Sequence, residues 1–185
     1  ELPLRSRLSA NASWGWMRQD DPLVPYTTNT AIVPGAANNP PFDASNRANL
    51  PVGNVDAKVN TSLYNLLLTS KPLNFLNVKA RYRYYERKNK TEEIDFPGYV
   101  RTDAVWEPEA EKNEPISYKK NTAGIDFGFD LLKATTLTLG YTYDEMKRSE
   151  VREVSKSQDD IYKVSLDTKP LTWLDFKVSY EHSKR

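Results

Sequence analysis

The residues of this sequence whose types and spacing could do chemistry are charged side chains set two apart. Lys79, Arg81 and Arg83 alternate with Ala80, Tyr82 and Tyr84, while Asp126, Lys163, Asp175 and Lys177 alternate with apolar residues in three other segments. On a pleated strand residues two apart share a face, so these groups form charged ladders whose chemistry is electrostatic recognition. With no Cys and a single His, the sequence has no disulfide, no Fe–S cluster and no CxxCH haem attachment site. A His-based metal site would need an unusual ligand set.

A second charged constellation is the segment 88–118. It holds eight acidic residues, Glu92, Glu93, Asp95, Asp103, Glu107, Glu109, Glu111 and Glu114, and four basic ones, Lys88, Lys90, Arg101 and Lys112. Its net charge of −4 suits either a docking or Ca²⁺-attracting surface or simply a solvated loop. The whole chain carries +1 with its basic residues dispersed, which gives no reason to expect nucleic acid.

The elements that must position these groups come from a 19-residue phrase that occurs three times, at 69–87, 130–148 and 167–185. Each copy opens on a turn signal, continues as a strand and closes in a charged tip ending in Arg. In the third copy Leu174, Phe176, Val178 and Tyr180 oppose Asp175, Lys177, Ser179 and Glu181. The first and second copies alternate in the same way, so each is half of a β-hairpin with one apolar face.

Seven strands follow from this pattern. The first runs from Leu4 to Trp16, the second from Val55 to Ser70, and the three copies alternate with strands near 119–131 and 160–168. In the second strand Val55, Ala57, Val59, Thr61, Leu63 and Leu67 form the expected apolar face, blurred by Tyr64, Leu66 and Leu68. The connections are of two kinds: long ones at about 19–54 and 88–118 with a shorter one at 149–159, and tight turns at about 70–75, 131–135 and 169–173. That asymmetry fits an outer-membrane barrel with extracellular loops and short periplasmic turns.

No aliphatic run exceeds Leu66–Leu68, and mean hydropathy is −0.70, so no transmembrane helix is expected. A membrane barrel remains open, because its strands show only an alternating apolar face. From Leu76 to Tyr84 the first copy spans roughly 26 Å along the strand, or about 20 Å of height at a tilt of about 40°. Phe75 and Trp173 fall at one repeat position near the turn, and Tyr82, Tyr143 and Tyr180 at another near the far end. With Trp14, Trp16, Tyr84 and Tyr141 they make two aromatic girdles at the membrane interfaces. Lys79, Arg81 and Arg83 facing lipid would cost up to ~2–4 kcal/mol each near the midplane, so they face a lumen.

Several stretches resemble the MtrB/PioB family of decahaem-associated outer-membrane barrels. They are LSANASWGWMRQDDPLVPYT (8–27), LPVGNVDAKV (50–59), ARYRYYERKNKT followed by FPGYVRTD (80–103), and ISYKKNTAGIDF (116–127). GYTYDEMKRSEVREV (140–154) and PLTWLDFKVSYEHSKR (170–185) complete a resemblance that covers nearly the whole chain. It implies a sheath in the Gram-negative outer membrane, without enzymatic activity of its own. A periplasmic multihaem c-type cytochrome threads into its lumen, and an extracellular multihaem cytochrome can dock outside. Haem c then belongs to the partner, and this chain binds no cofactor.

The candidate cytochrome contacts are Lys79, Arg81, Arg83, Asp126, Lys163, Asp175 and Lys177. His182, on the apolar face near an interface, suits a structural role better than haem ligation. The CxxC that some family members carry near the N-terminus is absent.

The reading is therefore an all-β fold, an antiparallel up-and-down transmembrane β-barrel, with residues 1–185 as one segment of a larger barrel. The chain starts without Met, at Glu1-Leu2-Pro3, and ends at a repeat tip, which reads as an internal piece. Two other functions fit parts of the pattern. A general diffusion porin or other outer-membrane channel shares everything except a resident partner. A soluble carbohydrate-binding β-sandwich predicts turns about every 8–12 residues at both ends and no aromatics at matched positions.

Overall fold

Alternating apolar and polar residues over 11 to 17 positions form long strands because the pleat sorts them onto two faces. The computed structural model describes residues 3–149 and 153–185. In chain order its strands are β1 (Arg7–Gln19), β2 (Ala57–Leu73), β3 (Leu76–Asn89), β4 (Asp95–Phe96), β5 (Tyr99–Arg101), β6 (Val105–Glu107), β7 (Glu111–Lys112), β8 (Tyr118–Leu132), β9 (Thr135–Arg148), β10 (Lys156–Leu171) and β11 (Leu174–Lys184). Seven long strands make one sheet in the order β1-β2-β3-β8-β9-β10-β11. The pairings from β3 to β11 are all antiparallel, and among the described residues there is no α-helix. This is the antiparallel up-and-down arrangement the repeats predict.

Three boundaries differ from the sequence reading. The first strand begins at Arg7, because Leu4 and Arg5 adopt φ of 58° and 50° and Ser6 closes a turn onto the Pro3 carbonyl. The tight turns shrink to residues 74–75, 133–134 and 172–173, with Pro72 and Pro170 inside the ends of β2 and β10. Pro170 is accommodated because the β10–β11 register shifts between Thr168 and Leu171, and a bulge leaves a residue that need not donate to the ladder. The expected connection 149–159 lies partly outside the described residues, and β10 is already under way at Lys156.

A fourth difference concerns which way β2 faces. Tyr64 packs against Trp14 and Tyr84, with ring centroids 5.8 Å apart in each case. Lys71, on the opposite parity, reaches Asp130 across the other face. Tyr64, Leu66 and Leu68 therefore lie on the apolar face, and Thr61, Leu63 and Leu67 on the polar one. The sequence is misleading here because both parities of β2 carry leucines.

The chain divides into two units. One comprises residues 1–15, 61–88 and 117–185 and holds most of the sheet; the other comprises 16–60 and 89–116. The second is no bare loop. β4 pairs with β7, β5 pairs with β6 in a hairpin, and a 3₁₀ turn spans Arg47–Asn49. Thr102 and Asp103, at the hairpin tip, both have positive φ, the geometry that matches the twist of paired strands.

Long-range polar contacts tie this unit together. Thr27 Oγ1 donates to the Asp103 carboxylate, Asn29 Nδ2 to the Asp103 carbonyl at 2.8 Å, and the Trp106 amide to the Asn38 carbonyl at 2.8 Å. Around them Tyr26, Phe42 and Trp106 form a mutual cluster with centroids 5.2–5.6 Å apart, and Phe96 meets Tyr26 at 6.4 Å. Gly98 lies beneath Trp106, where an added Cβ would come within 2.6 Å of its ring. Burial pushes the Tyr26 hydroxyl pKa up.

Burial is distributed in an unusual way. The buried hydrophobic residues among those described are Ile32, Ala44, Val59 and Ile94, and every one belongs to the second unit. The sheet of the first unit leaves its apolar residues on the surface, including Leu66, Phe127, Leu139, Val164 and Phe176. The small core therefore holds the connections together, and among the described residues these apolar side chains of the sheet stay exposed.

Trp106→Ala should remove about 3 kcal/mol from the second unit, the lower end for truncating a packed aromatic, because Trp106 is half-buried. Limited proteolysis should then cut within 20–56 and 90–117 while the sheet keeps its heat-resistant mobility on cold gels. Equal resistance of the variant and the parent would show that the cluster does not hold the unit.

Candidate functional site

On the polar face, cross-strand neighbours form rows. One row runs Lys79, Asp126, Gly140, Lys163, Glu181, and the next toward the turns runs Asn77, Gly128, Thr138, Ser165, Ser179. Beyond that come Asp130, Thr136, Asp167 and Lys177. A recess of about 610 Å³ opens on this face, with residues of six strands from β2 to β11 in its lining. Six flat strands at ~4.8 Å spacing would be roughly 24 Å across. One recess reaches them all because the sheet curls around its polar face.

Within the concavity, carboxylates are bound by specific partners. Asp126 pairs with the Arg81 guanidinium, which also donates to Thr142 Oγ1 at 2.7 Å. Glycines make room for this: a Cβ at Gly124 would stand 2.8 Å from the Arg81 Nε, and one at Gly140 would stand 2.5 Å from Asp126 Oδ1. Asp130 accepts from Lys71 Nζ at 3.3 Å, Asn77 Nδ2 at 3.1 Å and Thr136 Oγ1 at 3.0 Å, which links four strands. Asp144 pairs with Lys120 at 2.8 Å, Asp167 with Lys177 at 2.8 Å, and Asp159 with Arg185 at 2.9 Å.

The seven charged residues singled out from the sequence all fall on this face, but in different settings. Lys79, Asp126, Lys163 and Lys177 line the recess, and Arg81 joins them through Asp126. Asp175 stands apart at the turn end, paired with Lys169 at 3.1 Å beside a cleft between neighbouring turns. Lys79, Arg83 and Lys163 are exposed and have no ion-pair partner among the described residues. The sequence reading passed over Asp130, Asp167 and Lys71. A signal for the first two was present, since Asp130 and Asp167 open two of the three repeat copies.

On the opposite face three consecutive rows are almost wholly apolar. They are Leu76–Phe129–Leu137–Leu166–Val178, then Val78–Phe127–Leu139–Val164–Tyr180, then Ala80–Ile125–Tyr141–Tyr162–His182. The next rows turn polar, with Tyr82, Ala123, Tyr143, Asp160 and Lys184, followed by Tyr84, Asn121, Glu145 and Gln158. The three apolar rows cover roughly 13 Å along the strand; with the aromatic border from Phe75 to Tyr84 the span is roughly 30 Å, about 23 Å tall at a tilt of about 40°, close to the ~25 Å band of outer-membrane barrels with its girdles.

The aromatics border that band. Phe75 and Trp173 are exposed at the turn end, Trp173 by 78%. At the far end the rings remain apolar while their polar atoms meet partners. Trp14 Nε1 donates to Tyr64 Oη at 3.2 Å, Tyr82 Oη to Asn121 at 3.0 Å, Tyr141 Oη to Asp160 at 2.6 Å, and Gln158 Nε2 to Tyr143 Oη at 2.5 Å. An apolar ring with a satisfied polar tip is what a boundary between hydrocarbon and water selects. Trp16 is exposed near the end of β1, and Tyr84 stacks on Tyr64.

Tyr82 and Tyr143 share a hydrogen-bonded row, but Tyr180 sits four residues nearer its turn than Lys184, which occupies that row. Equal positions in the repeat thus become staggered positions in the sheet, as strand tilt in a barrel requires. His182 stands opposite Tyr162 on the apolar face. Among the described residues no cluster of three or more His, Cys, Asp or Glu is placed to hold a metal ion. The site is an electrostatic surface of paired carboxylates and exposed cations.

A family model described as "Putative outer membrane beta-barrel porin, MtrB/PioB" matches residues 1–185. No curated protein matches the chain. The assignment points to a channel or structural role in the outer membrane and agrees with a curled antiparallel sheet whose exposed apolar rows are bordered by aromatics. Matched along its whole length, the chain belongs to the MtrB/PioB family of outer-membrane β-barrel porins.

Proposed function

We propose that the barrel to which this chain contributes is a sheath in the Gram-negative cell envelope. It encloses a periplasmic multihaem c-type cytochrome and forms a transmembrane conduit for electrons. A soluble cytochrome cannot present its polar surface and its charges to hydrocarbon, where unpaired polar and ionised groups are strongly disfavoured. A barrel that is apolar outside and charged inside resolves that conflict by facing each medium with matching chemistry.

The observation that carries the reading is the concave face. Lys79, Arg83 and Lys163 remain exposed and without ion-pair partners among the described residues, and Asp126 opposite Lys79 is already engaged by Arg81. Small barrels fill their interiors with their own side chains; this face instead keeps charged groups available to an occupant. The sequence holds no Cys and one His, so in this reading the haem c of the conduit is carried by the partner. An extracellular multihaem cytochrome docking at the far side would receive or supply the electrons.

Purification of the full-length protein from native membranes tests this. A haem protein should co-elute, and liposomes carrying the complex should pass electrons from an enclosed reduced dye to an external impermeant acceptor. A barrel that elutes without haem and conducts ions when reconstituted would identify a general diffusion porin and overturn the sheath.

The assignment of faces has its own test. Leu139→Arg places a cation on the bilayer side and should cost about 2–4 kcal/mol in folding into lipid vesicles. Thr138→Arg, one residue away on the concave side, should cost far less. Equal losses in denaturant titrations would mean that the faces are misassigned.

A further inference from the structure

The recess on the concave face has a definite build. Its floor is the row Gly128, Thr138, Ser165, whose side chains are absent or short, and charged rows border it on both sides. The cations lining it are Arg5, Lys71, Lys79, Lys163 and Lys177, against the carboxylates of Asp126 and Asp167. With Arg81, Asp130 and Glu181, which stand against these groups, six positive and four negative charges leave an excess of two positive charges.

Pairing concentrates that excess on two residues. Lys79 faces Asp126 in register, but Asp126 is held by Arg81. Lys177 is held by Asp167 and Lys71 by Asp130, and Arg5 donates to the Asn74 side chain at 3.3 Å. Lys163 stands opposite Glu181 in register, with no ion pair between them among the described residues. Two ammonium groups, from β3 and β10, thus border a small-residue floor without an ion pair among the described residues.

Resting on the sheath reading, we propose that this recess docks aspartate or glutamate side chains of the protein inside the barrel. Lys79 and Lys163 are their contacts, and the Gly128–Thr138–Ser165 floor gives clearance for the approaching chain. A free anion in an open recess meets screened, hydrated ammonium groups and gains little. A protein surface that fills the recess expels that water and strengthens both pairs at once. Lipid phosphates are excluded by position, since the recess lies on the face away from the apolar rows. The arrangement narrows seven charged candidates to two contacts of one chemistry.

Carbodiimide cross-linking tests it, because the reagent joins an amine only to a carboxylate in direct contact. The probe is the full-length barrel purified in mild detergent with its co-eluting haem protein. Mass spectrometry should find Lys79 and Lys163 joined to Asp or Glu of the haem-bearing chain. The Lys79→Gln, Lys163→Gln double variant should lose those links and reduce co-eluting haem roughly tenfold or more at moderate salt. Lys79→Arg with Lys163→Arg should retain the haem protein while giving no links.

Normal heat-modifiable mobility of each variant confirms folding. Haem co-eluting undiminished with the Gln variant, or links that run to haem carboxylates, would overturn this proposal and leave the sheath standing. Absence of any haem protein from the unsubstituted barrel would overturn both.

Discussion

Everything in this sheet depends on an apolar face that the described residues leave exposed. Rows from Leu76–Val178 to Ala80–His182 lie open, so the favourable transfer of that surface out of water must come from lipid. Once strands sit in hydrocarbon, every backbone N–H and C=O needs a partner within the protein. Sequential antiparallel strands with two-residue turns meet that demand with the least connecting chain, which explains the order β1-β2-β3-β8-β9-β10-β11.

The same constraint fixes register. A slip of one residue would exchange the two faces of a strand and carry Lys79, Arg81 and Arg83 into lipid. Ion pairs on the concave side add a second lock: Asp167–Lys177 and Asp159–Arg185 span β10–β11, while Asp130 gathers groups from β2, β3 and β9. Glycines 124 and 140 belong to this arrangement, since the Arg81–Asp126 pair occupies the space their side chains would need. Charge on this face therefore specifies alignment as well as offering contacts.

Much of this was legible in the sequence, because period-two alternation is a local signal and lipid enforces it strictly. Strand count, the two faces and the shared face of the seven charged residues follow from it. The facing of β2 was not legible, since leucines at 63, 66, 67 and 68 occupy both parities. Nor was the stagger that separates Tyr180 from Tyr82 and Tyr143, because a repeat aligns positions by distance from the turn and says nothing of tilt. The second unit was hidden for another reason. Tyr26, Phe42, Phe96 and Trp106 are far apart in sequence without periodicity, and the Thr27–Asp103 contact bridges two segments that each read as plain loop.

The core built by those segments also bears on how the molecule assembles. Residues 16–60 and 89–116 form a unit that buries Ile32, Ala44, Val59 and Ile94 within protein, so its folding does not have to wait for a bilayer. Its two segments are also the links from β1 to β2 and from β3 to β8. Their collapse in water shortens two long loops and brings four strand ends under one restraint, lowering the entropy lost when those strands later pair. The connections would then restrain the chain entropy of the strands they join.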